Sequence, residues 1–210
     1  YLFLNCLKIN RMSYIFDIKN LKCGYEANKV VLDVEQLQIP YGKIVFLVGE
    51  SGIGKSTILE TLGLMNNTIL SGKETILNYR AFPDAESINI LDLCNKKDEK
   101  KLNEFRLNNF SFIFQQTNLM RNFTVYENIA ITRMIQGKKR SESINKTKDV
   151  LDALDLGDID FRREVNELSG GQQQRLAFAR AIVPEFTVLF GDEPTGNLDP
   201  LSAENVMSLL

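Results

Sequence analysis

Residues 49–57 read GESGIGKST, and no other stretch constrains the chain as much. The stretch fits GxxxxGK(S/T), with Gly49, Gly54, Lys55 and Ser56 in the defining places. Before it, residues 44–48 form an unbroken apolar run, which predicts a parallel strand buried on both faces. After it, Ile58, Leu59, Leu62 and Met65 recur at helical spacing. A strand, a glycine-rich turn and a helix start are the context of a phosphate-binding loop. Glycines let backbone N–H groups turn inward with no Cβ in the way. The helix start adds orphan N–H groups and the positive end of its dipole. The candidate cradle is therefore Gly49, Glu50, Ser51, Gly52, Ile53, Gly54, Lys55, Ser56 and Thr57. Lys55 is expected to reach the β- and γ-phosphates of a nucleotide, and the Ser56 hydroxyl to ligate Mg²⁺.

Composition narrows the class. With 210 residues, 44% of them hydrophobic, the chain can bury a real core. Its 25 basic and 27 acidic residues nearly balance, so charge gives no case for nucleic acid as a partner. The absence of histidine excludes Ser-His-Asp and Cys-His catalysis and histidine zinc sites. Cys6, Cys23 and Cys94 lack metal-like spacing and fit a reducing cytoplasm. No apolar run approaches the roughly 20 residues that span a bilayer. Residues 1–7 have neither a basic leader nor a small-residue cleavage site, so no signal peptide is read there. Met12-Ser13 reads as a natural start, residues 1–11 as a non-native or upstream extension, and Leu210 as lying inside a helix.

Residues 15–22 alternate as a strand, with Phe16, Ile18 and Leu21 apolar. A second strand over 30–37 leads to a turn at Pro40, Tyr41 and Gly42, and the two are expected to be antiparallel and half exposed. On spacing alone, Tyr25 between them is equally a stacking platform for a base or an ordinary strand-end aromatic. From about residue 79 to 167 charge rises and helical periodicity takes over, predicting a helical insert. Lys96, Lys97, Lys100 and Lys101 fall in a charged segment that reads as a solvated helix face. Ile144, Thr147, Leu151 and Leu154 form the stripe of an amphipathic helix over 141–156. Residues 110–116 read as a strand ending in glutamines; Gln115 there suits a hydrogen bond to a metal-bound water, or a plain loop.

Residues 168–175 read LSGGQQQR, followed by helical pattern that stops before Pro184. Ser169 fits as N-cap, and Gly170 and Gly171 leave N–H groups open for an anion. One chain needs a single such cradle for its own nucleotide, so this second one is expected to serve another subunit's. An apolar strand over 187–190 then ends in Asp192 and Glu193. Asp192 is placed to hold Mg²⁺, directly or through water, and Glu193 to polarise the attacking water. Asp199, in the TGNLD loop at 195–199, is expected near that water or its counterpart across a dimer.

Taken together, GESGIGKST, Gln115, LSGGQQQR, VLFGDEP at 188–194 and TGNLD resemble an ABC transporter ATPase subunit. The wording of residues 112–129 with DEPTGNLD is most similar to the lipoprotein-release, macrolide-export and cell-division branch. The resemblance implies an α/β P-loop NTPase core, its parallel sheet flanked by helices, with an N-terminal antiparallel β subdomain and a helical insert. It implies a single domain over 12–210, made of 12–78, the insert at 79–167 and a second core part at 168–210. It makes Tyr25 the adenine-stacking aromatic and Gln115 the glutamine that senses Mg²⁺. Lys55, Gln115 and Glu193 become the catalytic set, and Ser56, Gln115 and Asp192 the metal set. Ser169, Gly170 and Gly171 would touch the γ-phosphate held by the opposite subunit, with Gln172 counted among the nucleotide-binding residues. The implied cofactors are ATP and Mg²⁺. The implied partners are a second copy in a head-to-tail dimer and a membrane permease, and the implied place is the cytoplasmic face of the membrane. An ATP-gated scaffold of a cell-division complex is the alternative within the branch. The family's switch histidine, absent from the sequence, is expected beyond Leu210.

Overall fold

The computed structural model describes residues 14–26, 29–70, 72, 74–96 and 98–194. The extension at 1–11 and the loop at 195–199 with Asp199 lie outside the described residues. The chain divides between Leu102 and Asn103 into two compact units.

The first unit is organised around strand β1, Tyr14–Cys23. Period-two alternation buries Phe16 and Ile18 completely. Strict alternation would next bury Asn20, but Asn20 adopts φ 49° and is exposed. Asn tolerates this left-handed conformation better than most residues. Beyond it the faces exchange, and Leu21 and Cys23 are the buried pair. Each such apolar side chain contributes about 1.5–3 kcal/mol on burial. Strand β2, Leu32–Pro40, pairs antiparallel with one edge of β1. The other edge takes β3, Ile69–Leu70, and β4, Ile76–Tyr79, also antiparallel. Strand β5, Ile88–Asn89, extends the sheet from β4. The rings of Phe16 and Tyr79 meet across the sheet at 5.3 Å. Helix α1, Lys55–Leu62, buries Thr57, Ile58, Thr61 and Leu62. It stops at Gly63, so Met65, expected on its stripe, lies past the end and is exposed. Helix α2, Ile90–Asn95, is capped by the Asn89 side chain.

Residues 44–48 differ from expectation. They form no strand, and Phe46 and Val48 are 71% and 82% exposed, far from burial on two faces. The reason lies in the ladder. An apolar run becomes a central strand only where flanking strands take its N–H and C=O groups. Both edges of β1 are already used by antiparallel neighbours, and among the described residues every strand pairing of the first unit is antiparallel.

Helix α3, Glu99–Asn109, spans the division and buries no residue; Lys100 and Lys101 are exposed, a solvated face as expected. In the second unit, β6, Phe110–Ile113, and β7, Val188–Gly191, pair in parallel. Phe110 stands opposite Val188 and Ile113 opposite Gly191. The ladder is prolonged at both ends, by Thr187 N–H to Asn109 O (2.8 Å) and Asp192 N–H to Ile113 O (2.9 Å). Helices α4, Val125–Ile135, α5, Arg140–Ala153, and α6, Gly170–Ile182, pack on one another around Ile129, Leu151, Leu154, Val165 and Leu176, all fully buried. The expected stripe on α5 holds at Thr147 and Leu151, while Ile144 is only half-buried and Ser143 takes the interior.

Two polar staples order this unit. The Gln136 amide nitrogen donates to Leu107 O and Glu185 O, both at 2.8 Å, and its oxygen accepts from Glu185 N–H at 3.1 Å. The buried Asn128 accepts from Met120 N–H and donates to the carbonyls of Met120 and Thr124. Among the described residues no helix is long and apolar enough to cross a membrane.

Candidate nucleotide-binding site

In the first unit, the P-loop turns through Gly52 at φ 82° and Gly54 at φ 101°, conformations strained for any side chain larger than glycine. Gly54 is the N-cap of α1 and supplies no side-chain hydrogen bond. The first turn of α1 therefore has no side-chain cap competing for its N–H groups, the condition for an anion site at a helix start. Lys55 folds across the loop and donates from Nζ to Gly49 O at 2.8 Å and Glu50 O at 2.7 Å. Tyr25 is 66% exposed, with its hydroxyl 3.5 Å from Thr57 Oγ1. A ring left open to solvent beside the end of the loop is free to take a planar partner on its face.

In the second unit, the parallel pair delivers two side chains to one place. Gln115 Nε2 donates to Glu193 Oε2 at 2.7 Å across a sequence separation of 78 residues. That separation is the register of the β6–β7 ladder itself, in which Ile113 faces Gly191. The two residues are thus level with one another just past the carboxyl ends of paired strands, where open α/β sheets take their ligands. Glu193 has φ 48°, a left-handed backbone that costs a glutamate about 1–3 kcal/mol. Asp192, the residue before it, is half-buried.

Ser169 caps α6 in a closed box: its Oγ accepts from Gln172 N–H at 3.3 Å, and Gln172 Oε1 accepts from Ser169 N–H at 2.9 Å. Gly170 and Gly171 follow with open space where a Cβ would stand. Arg180, further along α6, was not singled out by sequence. Its two terminal nitrogens donate to the carbonyls of Thr117 and Asn118, just beyond Gln115.

The donor chemistry suits Mg²⁺ with a triphosphate. Ser56, Gln115 and Asp192 offer oxygen atoms, the hard donors that ion takes. Among the described residues no cluster of three His, Cys, Asp or Glu exists. Mg²⁺ bound with phosphates needs none, since one or two protein ligands and water complete its shell.

The model of the family described as ABC transporter matches residues 32–196, which take in the P-loop, Gln115, LSGGQQQR and the Asp192-Glu193 pair. The chain belongs to the ABC transporter family. Among curated proteins it is 39% identical over 202 residues to the lipoprotein-releasing system ATP-binding protein LolD 2 of Rhodopseudomonas palustris, covering 94% of this chain and 78% of that one. It is 36% identical to the macrolide export ATP-binding/permease protein MacB of Aggregatibacter actinomycetemcomitans, over 93% of this chain and 29% of that much longer protein. Among solved structures, a bacterial ABC transporter cassette determined as a dimer superimposes with a TM-score of 0.74 at 28% identity, over 92% of this chain and 80% of that one. The fold is that of P-loop NTPases, with an antiparallel sheet in the first unit and a parallel strand pair in the second, each with helices beside it. This ABC chain is an ATP-binding and ATP-hydrolysing subunit, of the class that works with a membrane permease.

Within the family's motifs, the structure brings together Lys55 with Gly49 and Glu50, Tyr25 with Thr57, Gln115 with Glu193, and Ser169 with Gln172. Ser56 belongs to the first unit, and Gln115 and Asp192 to the second.

Proposed function

We propose that this ABC subunit hydrolyses Mg·ATP between two head-to-tail copies of itself and so powers lipoprotein release, or a related export, by a partner permease. The observation that carries the reading is the Gln115–Glu193 hydrogen bond of 2.7 Å at the ends of β6 and β7. It sets a neutral amide beside the carboxylate that this reading makes the proton acceptor. Glu193 is the general base, and the Gln115 amide orients it and the attacking water. Lys55 and the loop from Gly49 to Thr57 would hold the phosphates, Ser56 and Asp192 would hold Mg²⁺, and Tyr25 would stack on adenine. Mg²⁺ held there would supply positive charge against that developing on the phosphoryl oxygens. Ser169, Gly170, Gly171 and Gln172 face the nucleotide of the other copy.

Support for the substrate class comes from the LolD and MacB relatives, and support for pairing from the cassette solved as a dimer. The working unit is one ABC ATPase domain over residues 12–210, with the helical insert at 79–167 passing the stroke to the permease at the cytoplasmic membrane face. Glu193→Gln tests the assignment. It is expected to keep ATP affinity, to lower turnover by about 10²–10⁴-fold and to accumulate an ATP-bound dimer on a sizing column. Turnover at the wild-type rate would remove Glu193 from the mechanism.

A further inference from the structure

Arg180 lies on α6, the helix that begins at Ser169, roughly three turns further on. Nη1 donates to Asn118 O and Nη2 to Thr117 O, both at 2.8 Å. Two bonds from one planar fork fix direction as well as distance, which a lysine's single ammonium does not. The loop is shaped to receive them. Asn118 has φ 48°. An extended residue there would send successive carbonyls to opposite sides, whereas a left-handed turn brings them to one side. Among the described residues no carboxylate forms an ion pair with Arg180. Burial pulls its guanidinium down from the ordinary arginine value, yet arginine keeps its charge. The cation is spent on two backbone carbonyls two and three residues beyond Gln115. Asn128 then holds Met120 at the far end of the same loop.

We infer that Arg180 is a positioning residue for ATP hydrolysis: from α6 it fixes the loop that holds the Gln115 amide against Glu193. The inference rests on the proposed role of Glu193 as base. It gives the helix that starts at LSGG a mechanical grip on the water-orienting amide within the same unit. A shift of α6 moves the Thr117 and Asn118 carbonyls with it, and Gln115 follows.

The test is a double-mutant cycle on the full-length protein, with Arg180→Met, Gln115→Ala and both together. Arg180→Met keeps the length of the side chain and removes its donors. It is expected to lower kcat by about 10-fold or more, since small misplacements of catalytic groups have effects on the order of 10²-fold. The KM for ATP and binding of a fluorescent ATP analogue should stay within about twofold, because the Arg180 guanidinium bonds the carbonyls of the loop after Gln115. In the Gln115→Ala background the Arg180 substitution should add no further loss. Full additivity, or wild-type kcat in Arg180→Met, overturns the inference. Should Arg180→Met not fold, the same cycle with Arg180→Lys applies, with the same expected non-additivity and the same refutation. Glu193→Gln measured alongside separates the two layers. Retained turnover there defeats the proposed base, while lost turnover with an additive cycle defeats only the role of Arg180.

Discussion

Among the described residues two helices begin at glycine-rich turns, and the two starts are built in opposite ways. The turn before α1 is capped by Gly54 at φ 101°, with no side chain satisfying the first-turn N–H groups. The turn before α6 is closed by Ser169 and Gln172, each bonded to the other's backbone N–H. An uncapped start is poorly stable alone and gains most from a bound anion, whereas a boxed start stands without one. The contrast separates a cradle that needs its ligand to be complete from a surface already set before any ligand reaches it. This is the division of labour expected if the first holds the chain's own nucleotide and the second is offered to a partner's.

Substitutions can break this comparison, and they are ordered by size. Lys55→Ala should have the largest effect, lowering ATP affinity by about 3 kcal/mol, on the order of 10²-fold, in a fluorescence titration. Affinity unchanged within error would show that the loop does not bind phosphate. Gly54→Ala comes next. It forces a Cβ onto φ 101°, 3.4 Å from Leu32 Cδ1, and should destabilise by about 2 kcal/mol in urea unfolding. Ser169→Ala opens the box and should remove about 1 kcal/mol. Stability equal to wild type would mean that α6 does not depend on its cap. The smallest effect has the opposite sign. Gly170→Ala meets open space at the start of α6 and should stabilise by roughly 0.5–1 kcal/mol. If turnover falls while stability rises, that glycine faces a nucleotide; if both rise or hold, its smallness has no role in catalysis.

What the sequence revealed and what it hid differ for physical reasons. The boxed start of α6 was visible because Ser169 and its cap chemistry are local, and so was the alternation of β1 up to Ile18. The face exchange at Asn20 was hidden, since one left-handed residue resets the period without changing composition. The run at 44–48 announced that it is apolar on both sides, but an apolar run does not name the strands beside it, and among the described residues the first unit supplies none in parallel. Tyr25 and Gln115 were open questions on spacing alone. The structure adds Thr57 beside the first and Glu193 beside the second, 32 and 78 residues away in sequence. Arg180 escaped notice because its partners are carbonyl oxygens, which every residue has and no sequence marks.

The Gln136 staple has a consequence for fidelity. Its amide grips Leu107 ahead of β6 and both polar backbone groups of Glu185 ahead of β7. It is a registration pin, clamping the two strands at their entrances. Were they free to slide by one residue, Asp192 rather than Glu193 would come level with Gln115, and the side chains beyond would swap faces. A glutamine at the far end of the strands from the chemistry thus decides which of two adjacent carboxylates meets the amide.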